Sequence, residues 1–327
     1  MSRGAKFWSW LEVGVLRHTP ALFFGLLFVA FSVLVDGFFS LQSLRNLAVQ
    51  AAPTGILAVG MTFLLLVGRV DLSVGAVMFL GGAVFGKLLG LGMSLGVGLA
   101  ALFATAVVFG LVNHWVSLRF RVVSFIVTLA TLYMGRGIAQ ALTQTRPTPI
   151  PPLESWGSVS FAGLDLPVLV FGSVVLVAQL ALSQTAWGRQ LYAIGCDPVA
   201  AQRAGIPVQG VVGIAYVSCS LCAGLAAVVA LTQSPTVSPE FGTNVEFTAI
   251  AAAVLGGTTL AGGKGSVWPG AVIGACLLQM VVSGLNMQNV DPYLYPLVLG
   301  GIVFLAVLVD SQRSRRLEIV ERRRTRS

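Results

Sequence analysis

The sequence predicts an all-α polytopic membrane protein, with about ten transmembrane helices, an internal repeat and Gly-broken segments. Three observations lead there. Apolar residues make up 56% of the 327-residue chain and charged residues only 10%, against about 25% charged in an ordinary soluble domain. A soluble chain of this length could not bury so much apolar surface and still cover itself with polar groups; the mean hydropathy of +0.88 agrees. The Lys and Arg residues gather in the termini and in short loops between apolar runs, the distribution of a membrane protein. The net charge of +8 therefore does not indicate a nucleic-acid partner. A soluble enzyme and a disordered protein are excluded as well.

Ten apolar runs approach the roughly 20 residues a helix needs to cross a bilayer. They are 20–36, 47–67, 72–90, 94–116, 122–143, 167–183, 211–232, 246–261, 267–285 and 293–309. The first is not a cleavable signal: Arg3, Lys6 and Arg17 precede it, and no small-residue cleavage site follows before Asp36. With the N-terminus in the cytoplasm, sixteen of the twenty Lys and Arg residues fall inside, and Arg45, Lys87 and Arg146 fall outside. Both termini are therefore expected in the cytoplasm. Arg136 lies within a span near its outer end, where snorkelling is expected, with gating or packing against a polar partner as the alternative. The chain reads as one transmembrane domain, 1–327, with a cytoplasmic N-terminus 1–19, a cytoplasmic loop 184–210 and a basic tail 311–327. The external loop 144–166 holds Pro147, Pro149, Pro151 and Pro152. That cluster is expected to block helix and strand and to form an extended cap.

Shifted by 188 positions, the chain matches itself. Gly68, Leu72, Gly75, Gly82 and Gly86 fall on Gly256, Leu260, Gly263, Gly270 and Gly274 without gaps. Both copies place a Gly-rich break between apolar runs, at 68–75 and 256–263. Gly-interrupted segments in corresponding positions of two halves point to a transporter's central pathway, because irregular backbone at membrane depth must face protein or a watery cavity. The candidate pathway residues are accordingly Asp71, Ser73, Gly75, Thr258, Thr259 and Gly263. The other reading is close helix packing, for which Gly82, Gly86 and Gly90, and Gly270 and Gly274, have the four-residue spacing. Six spans separate the copies if both breaks are ordinary loops, making the repeat parallel. If one dips in without crossing, the repeat is inverted.

Several chemical motifs fail on inspection. Thr258 to Ser266 imitates a phosphate-binding loop, but Thr258 stands where the first Gly belongs and Gly265 where Ser or Thr belongs. Cys219 and Cys222 form a C-x-x-C among small apolar residues with no His or second Cys pair nearby, and are expected to be packing residues. Only two histidines are present, His18 and His114. No catalytic set, metal site or bound cofactor is expected.

The stretch 185–207 is the most distinctive. Asp197 is a good N-cap, Pro198 suits the first helical position, and Gly205 with Pro207 ends a helix of about two turns over Val199–Ala204. A short capped helix in a cytoplasmic loop suits the docking of a cytoplasmic subunit. Here the chain resembles the membrane subunits of ribose- and xylose-type ABC sugar importers, through a G-R-x-x-Y-A-I-G…A-A-x-x-x-G-I pattern. Its residues are Gly188, Arg189, Tyr192, Gly195, Ala200, Ala201 and Gly205, with Asp197 and Arg203 beside them. Three further stretches are similar to the same family. Gly60-Met61-Thr62 precedes Asp71-Leu72-Ser73-Val74-Gly75. Phe125-Ile126 with Thr128-Leu129 precedes Arg136-Gly137. Gly256-Gly257-Thr258 precedes Gly262-Gly263-Lys264-Gly265-Ser266. Arg69 stands where that family usually has Gly, and Cys196-Asp197 replaces its common Gly-Asn. The resemblance covers most of the chain, and branched-chain amino-acid permeases are distant relatives that form the runner-up reading.

The resemblance implies a permease in a bacterial inner membrane that binds no cofactor itself. It implies a partner ATPase that uses ATP and Mg, docked on the loop residues just named. It further implies a periplasmic solute-binding protein that delivers a monosaccharide or related polyol, and a second permease copy, identical or homologous. Other classes fare worse. An intramembrane enzyme needs paired carboxylates, a metal cluster or a nucleophile with its base. A proton-driven secondary transporter needs intramembrane acids. Asp71 and Glu246 lie only at span ends. Polar contacts to a neutral sugar have candidates in Asn46, Gln50, Asn113, Gln140, Asn286 and Gln288.

Overall fold

The computed structural model describes residues 19–308 except 158, 162, 303, 306 and 307. The N-terminus ahead of Thr19 and the tail 311–327, both expected in the cytoplasm, lie outside the described residues. Each of the ten apolar runs holds a helix. In chain order these are α1 Thr19–Leu34, α2 Leu41–Leu66, α3 Val74–Gly90, α4 Leu95–Phe120, α5 Ser124–Thr143 and α6 Leu166–Gln184. Two further helices, α7 Ala186–Cys196 and α8 Pro198–Arg203, lie outside the runs. Then follow α9 Val208–Gln233, α10 Val245–Leu255, α11 Val272–Met287 and α12 Pro292–Ile302.

Six helical stretches are long and apolar enough to cross a membrane alone: α2, α4, α5, α6, α9 and Val267–Met287, which contains α11. Helices α1, α3, α10 and α12 are shorter. The apolar run 246–261 is helical only to Leu255, because Gly256 and Gly257 follow and Gly257 takes a left-handed backbone (φ 92°).

Arg45–Cys276 form one compact unit, and the described ends of the chain form another. In the unit of the chain ends, the Phe31 ring of α1 occupies the space that a Cβ on Gly284 would need. Phe31 also stacks on Phe38.

In the larger unit α3 is the centre. Val74 through Ala83 are all buried, and α4, α5 and α9 pack around it. Small residues let the backbones approach. A Cβ on Gly110 of α4 would reach 2.8 Å from the Val217 Cα of α9, and one on Gly60 of α2 would come 2.8 Å from Cys222 and 3.1 Å from Cys219. The C-x-x-C is therefore packing at the α2–α9 contact, and both thiols are free. The outer face of α4 exposes Val97, Val108, Leu111, Val112 and Trp115, an apolar surface suited to lipid rather than water.

The Pro-rich loop 144–166 departs from the expected extended cap. Thr148–Pro149 forms strand β1, Pro151–Leu153 a 3-10 turn and Glu154–Gly157 a helical turn, and β2 Ser160–Phe161 pairs with β3 Leu164–Asp165. Proline at the head of a turn gives up an N–H that has no partner there anyway. β1 pairs antiparallel with β4 Thr236–Val237, Thr148 opposite Val237. Arg45 of α2 grips the Asp165 carboxylate ahead of α6 with two hydrogen bonds, Nε at 2.6 Å and Nη2 at 2.5 Å. That bonding holds the Asp165 carboxyl below its ordinary range.

Candidate functional site

The first break runs from Val67 to Ser73. Its polar side chains turn inward. Asp71 Oδ1 accepts from the Ser73 amide at 2.8 Å and from Ser73 Oγ at 2.6 Å. Asn113 Nδ2 of α4 donates to Ser73 Oγ at 2.8 Å and to both Asp71 carboxylate oxygens. Thr131 of α5 donates to Asn113 Oδ1 at 2.7 Å. Asp71, Ser73 and Asn113 are fully buried. A buried carboxylate is tolerated only with such partners. The network fixes the non-helical entry to α3 against α4 and α5.

Helix α3 then meets α10 head to head. After β4 the chain does not leave the bundle. Val237 lies against Gly82, Phe241 near the same glycine, and Gly242 against Gly75. The non-helical stretch 238–244 therefore runs antiparallel along α3, past seven residues of it, or about 10 Å. A Cβ on Gly75 would overlap the Gly242 carbonyl oxygen and lie 2.7 Å from Glu246 Oε2. Gly242 itself has φ 69°, so glycine is required on both sides of this contact. Glu246, in the first turn of α10, is buried beside this contact, and its Oε2 has no hydrogen-bond partner among the described residues. α10 has 11 residues, about 16 Å, half a membrane thickness.

Arg136 of α5 holds this stretch in place. Its Nη2 donates to the Pro239 carbonyl at 2.7 Å and to Thr243 Oγ1 at 2.6 Å, and Nη1 to the Phe241 carbonyl at 3.4 Å. The guanidinium also lies 5.2 Å from the centre of the Phe79 ring on α3. Of the two readings of Arg136, the polar partner fits and snorkelling does not: the charge satisfies carbonyls freed by irregular backbone. Thr243 and Asn244 are exposed on that stretch.

The loop α7–α8 meets both Gly-rich breaks. α7 was not foreseen as a separate helix. Thr185 caps it, accepting from the Gly188 amide at 3.2 Å, and it buries Gly188, Leu191 and Ile194 at helical spacing. Asp197 caps α8 as expected, accepting from the Val199 and Ala200 amides at 2.8 and 3.0 Å. Ala200 and Arg203 on α8 and Arg189 on α7 are exposed, and Ala201 packs inward. Gly195 sits against the Leu66 carbonyl and Gly263, with no room for a Cβ. The Gly263 amide bonds the Leu66 carbonyl at 2.9 Å, and Gly262 approaches Gly68 and Gly195. Tyr192 donates to the Gly265 carbonyl at 2.9 Å; burial pushes its phenol up, so it stays a donor. Thr259 bonds within its own turn, to Gly262 O at 2.8 Å, and Thr258 is buried. Replacing Asp197 with Ala should destabilise α8 by about 1 kcal/mol and lower the chain's activity, with Asp197→Asn restoring it. Equal activity of all three forms would contradict this role of the cap.

The structure thus splits the expected pathway residues. Asp71, Ser73 and Gly75 belong to the interior, while Thr258, Thr259 and Gly263 lie with the residues of the loop α7–α8. Both breaks meet the loop α7–α8, through Leu66 and Gly68 on one side and Gly262 and Gly263 on the other. Glu246 as a buried acid and the course of the stretch 238–244 along α3 were not among the sequence expectations.

The family described as the permease component of the branched-chain amino acid transport system matches residues 43–308. The chain belongs to this permease family. Within the family it is similar to proteins named for sugars. It is 36% identical to the ribose import permease protein RbsC of Escherichia coli K12, over 86% of this chain and 89% of that protein. It is 32% identical to RbsC of Bacillus subtilis, over 92% and 95%. It is 30% identical to the L-arabinose transport system permease protein AraH of Escherichia coli K12, over 94% and 92%. The permease is a multi-pass membrane chain, by its helices and its relatives alike.

Proposed function

We propose that this permease is the membrane subunit of a binding-protein-dependent ABC importer for a monosaccharide or related polyol. The observation that carries the reading is end-to-end similarity to ribose and arabinose permeases, at 30–36% identity. The whole chain acts as one permease domain in a bacterial inner membrane, with both termini in the cytoplasm. A separate cytoplasmic subunit supplies ATP hydrolysis and docks on α7–α8. A periplasmic protein delivers the sugar, and a second permease copy completes the pathway.

The geometry supports a division of labour. The exposed face of α8 receives the ATPase. Gly195 transmits its movement to both breaks at once, through Leu66 and Gly263. The breaks in turn set the angles of α3 and α11. At the other end of the lever, the stretch 238–244 presents polar groups and irregular backbone at depth. Lipid cannot solvate these, so this surface faces the water of the pathway or the second copy. Sugar is neutral, so hydroxyl and amide groups such as Thr243 and Asn244 suffice to bind it weakly in passing.

Cysteine labelling tests the pathway. With the native cysteines replaced, Thr243→Cys and Asn244→Cys should react with a membrane-impermeant thiol reagent. Ser73→Cys should stay protected in the nucleotide-free state and react only during turnover. Protection of both 243 and 244 in every nucleotide state would remove this stretch from the pathway.

A further inference from the structure

Beside the loop α7–α8 the larger unit holds a cavity of about 700 Å³, within the usual range for a ligand site. Its polar lining is Arg69, His114, Ser117, Arg121, Ser124 and Gln209, and no carboxylate lines it. Ser117 is 6% exposed and its hydroxyl has no partner among the described residues. Helix α5 begins at the cavity with Val123 at its N-cap, an apolar side chain that cannot cap, so the positive end of the helix is left to other groups. Arg121 holds a left-handed backbone (φ 54°) at the end of α4, which folds the chain back so that both helix ends flank the space. The remaining wall is apolar and includes Leu118, Val122 and Val212.

We propose that this cavity binds the phosphate of an anionic phospholipid headgroup. Two arginines and a helix N-terminus converge on one space that no carboxylate lines, with the His114 ring beside them as a further hydrogen-bonding group, a site for a phosphate. A free phosphate has no use for the apolar wall, whereas an acyl chain does. Basic pockets between transmembrane helices at the membrane surface bind such headgroups. Ile194 and Pro198 also line the cavity, so an occupant braces the loop α7–α8. The inference stands on the cavity and not on the transported substrate.

The test is thermal stability of the detergent-purified full-length chain, titrated with phosphatidylglycerol, with phosphatidylcholine, or with inorganic phosphate. Phosphatidylglycerol should raise the melting midpoint while the other two do not. Arg69→Gln and Arg121→Gln should each weaken the apparent affinity about fivefold; Lys264→Gln, outside the cavity, should not. Phosphatidylglycerol retained per chain after purification from native membranes, counted by mass spectrometry, gives a second reading that should fall in Arg121→Gln. Equal stabilisation by phosphatidylcholine, stabilisation by inorganic phosphate alone, or an unchanged affinity and lipid count in both arginine variants would overturn the proposal.

Discussion

Replacing Gly195 with Ala is expected to abolish binding-protein-stimulated ATP hydrolysis and sugar uptake while the chain still reaches the membrane. A single added methyl would overlap the Leu66 carbonyl and the Gly263 amide, which are hydrogen bonded to each other. All of these are backbone atoms, so no side chain can swing aside. Relief requires separating α7 from both breaks, at about 1–3 kcal/mol of overpacking strain plus about 1 kcal/mol for the lost hydrogen bond. Membrane level by immunoblot and stimulated ATPase rate in vesicles check the result. Gly210→Ala is the control, since its Cβ meets nothing within 4 Å. Normal stimulation in Gly195→Ala would remove Gly195 from the coupling route.

Arg136→Gln is expected to reduce uptake at least tenfold. The variant loses charge-assisted bonds to two carbonyls and to Thr243, each worth about 1.5–3 kcal/mol, and leaves those carbonyls without a protein donor. The stretch 238–244 would then move from α3, exposing Gly75 and Glu246. Arg136→Lys should rescue little, because a point charge cannot reach three acceptors in a fork. Uptake by membrane vesicles and protease sensitivity near 238–244 would report both effects. Wild-type uptake in Arg136→Gln would show that the clamp is dispensable.

Much of this architecture is readable locally. Apolar runs located the helices because bilayer thickness sets their length. Asp197-Pro198 and Gly205 located α8 because caps are local chemistry. The paired Gly-rich breaks were visible as a repeat. Depth and long-range contact were not. Pro235, Pro239, Gly242 and Asn244 read as a surface loop, and nothing local says that the loop lies along a buried helix. The partners of Arg136 lie 103 to 107 residues away in sequence, so the sequence alone left snorkelling and a polar partner both open. Asp71 and Thr259 stand 188 positions apart, yet one is locked by Asn113 and the other bonds within its own turn beside the loop α7–α8. A shared sequence offset does not bring shared surroundings.

The most direct test of the importer reading is radiolabelled sugar uptake into proteoliposomes that contain this chain and its ATPase. ATP is placed on the ATPase side and the binding protein on the other. The predicted result is uptake that needs both, and that stops when the ATPase is inactivated or the binding protein is left out. Uptake of the same size without ATP or binding protein, driven by an imposed proton gradient, would contradict it and make the chain a secondary transporter.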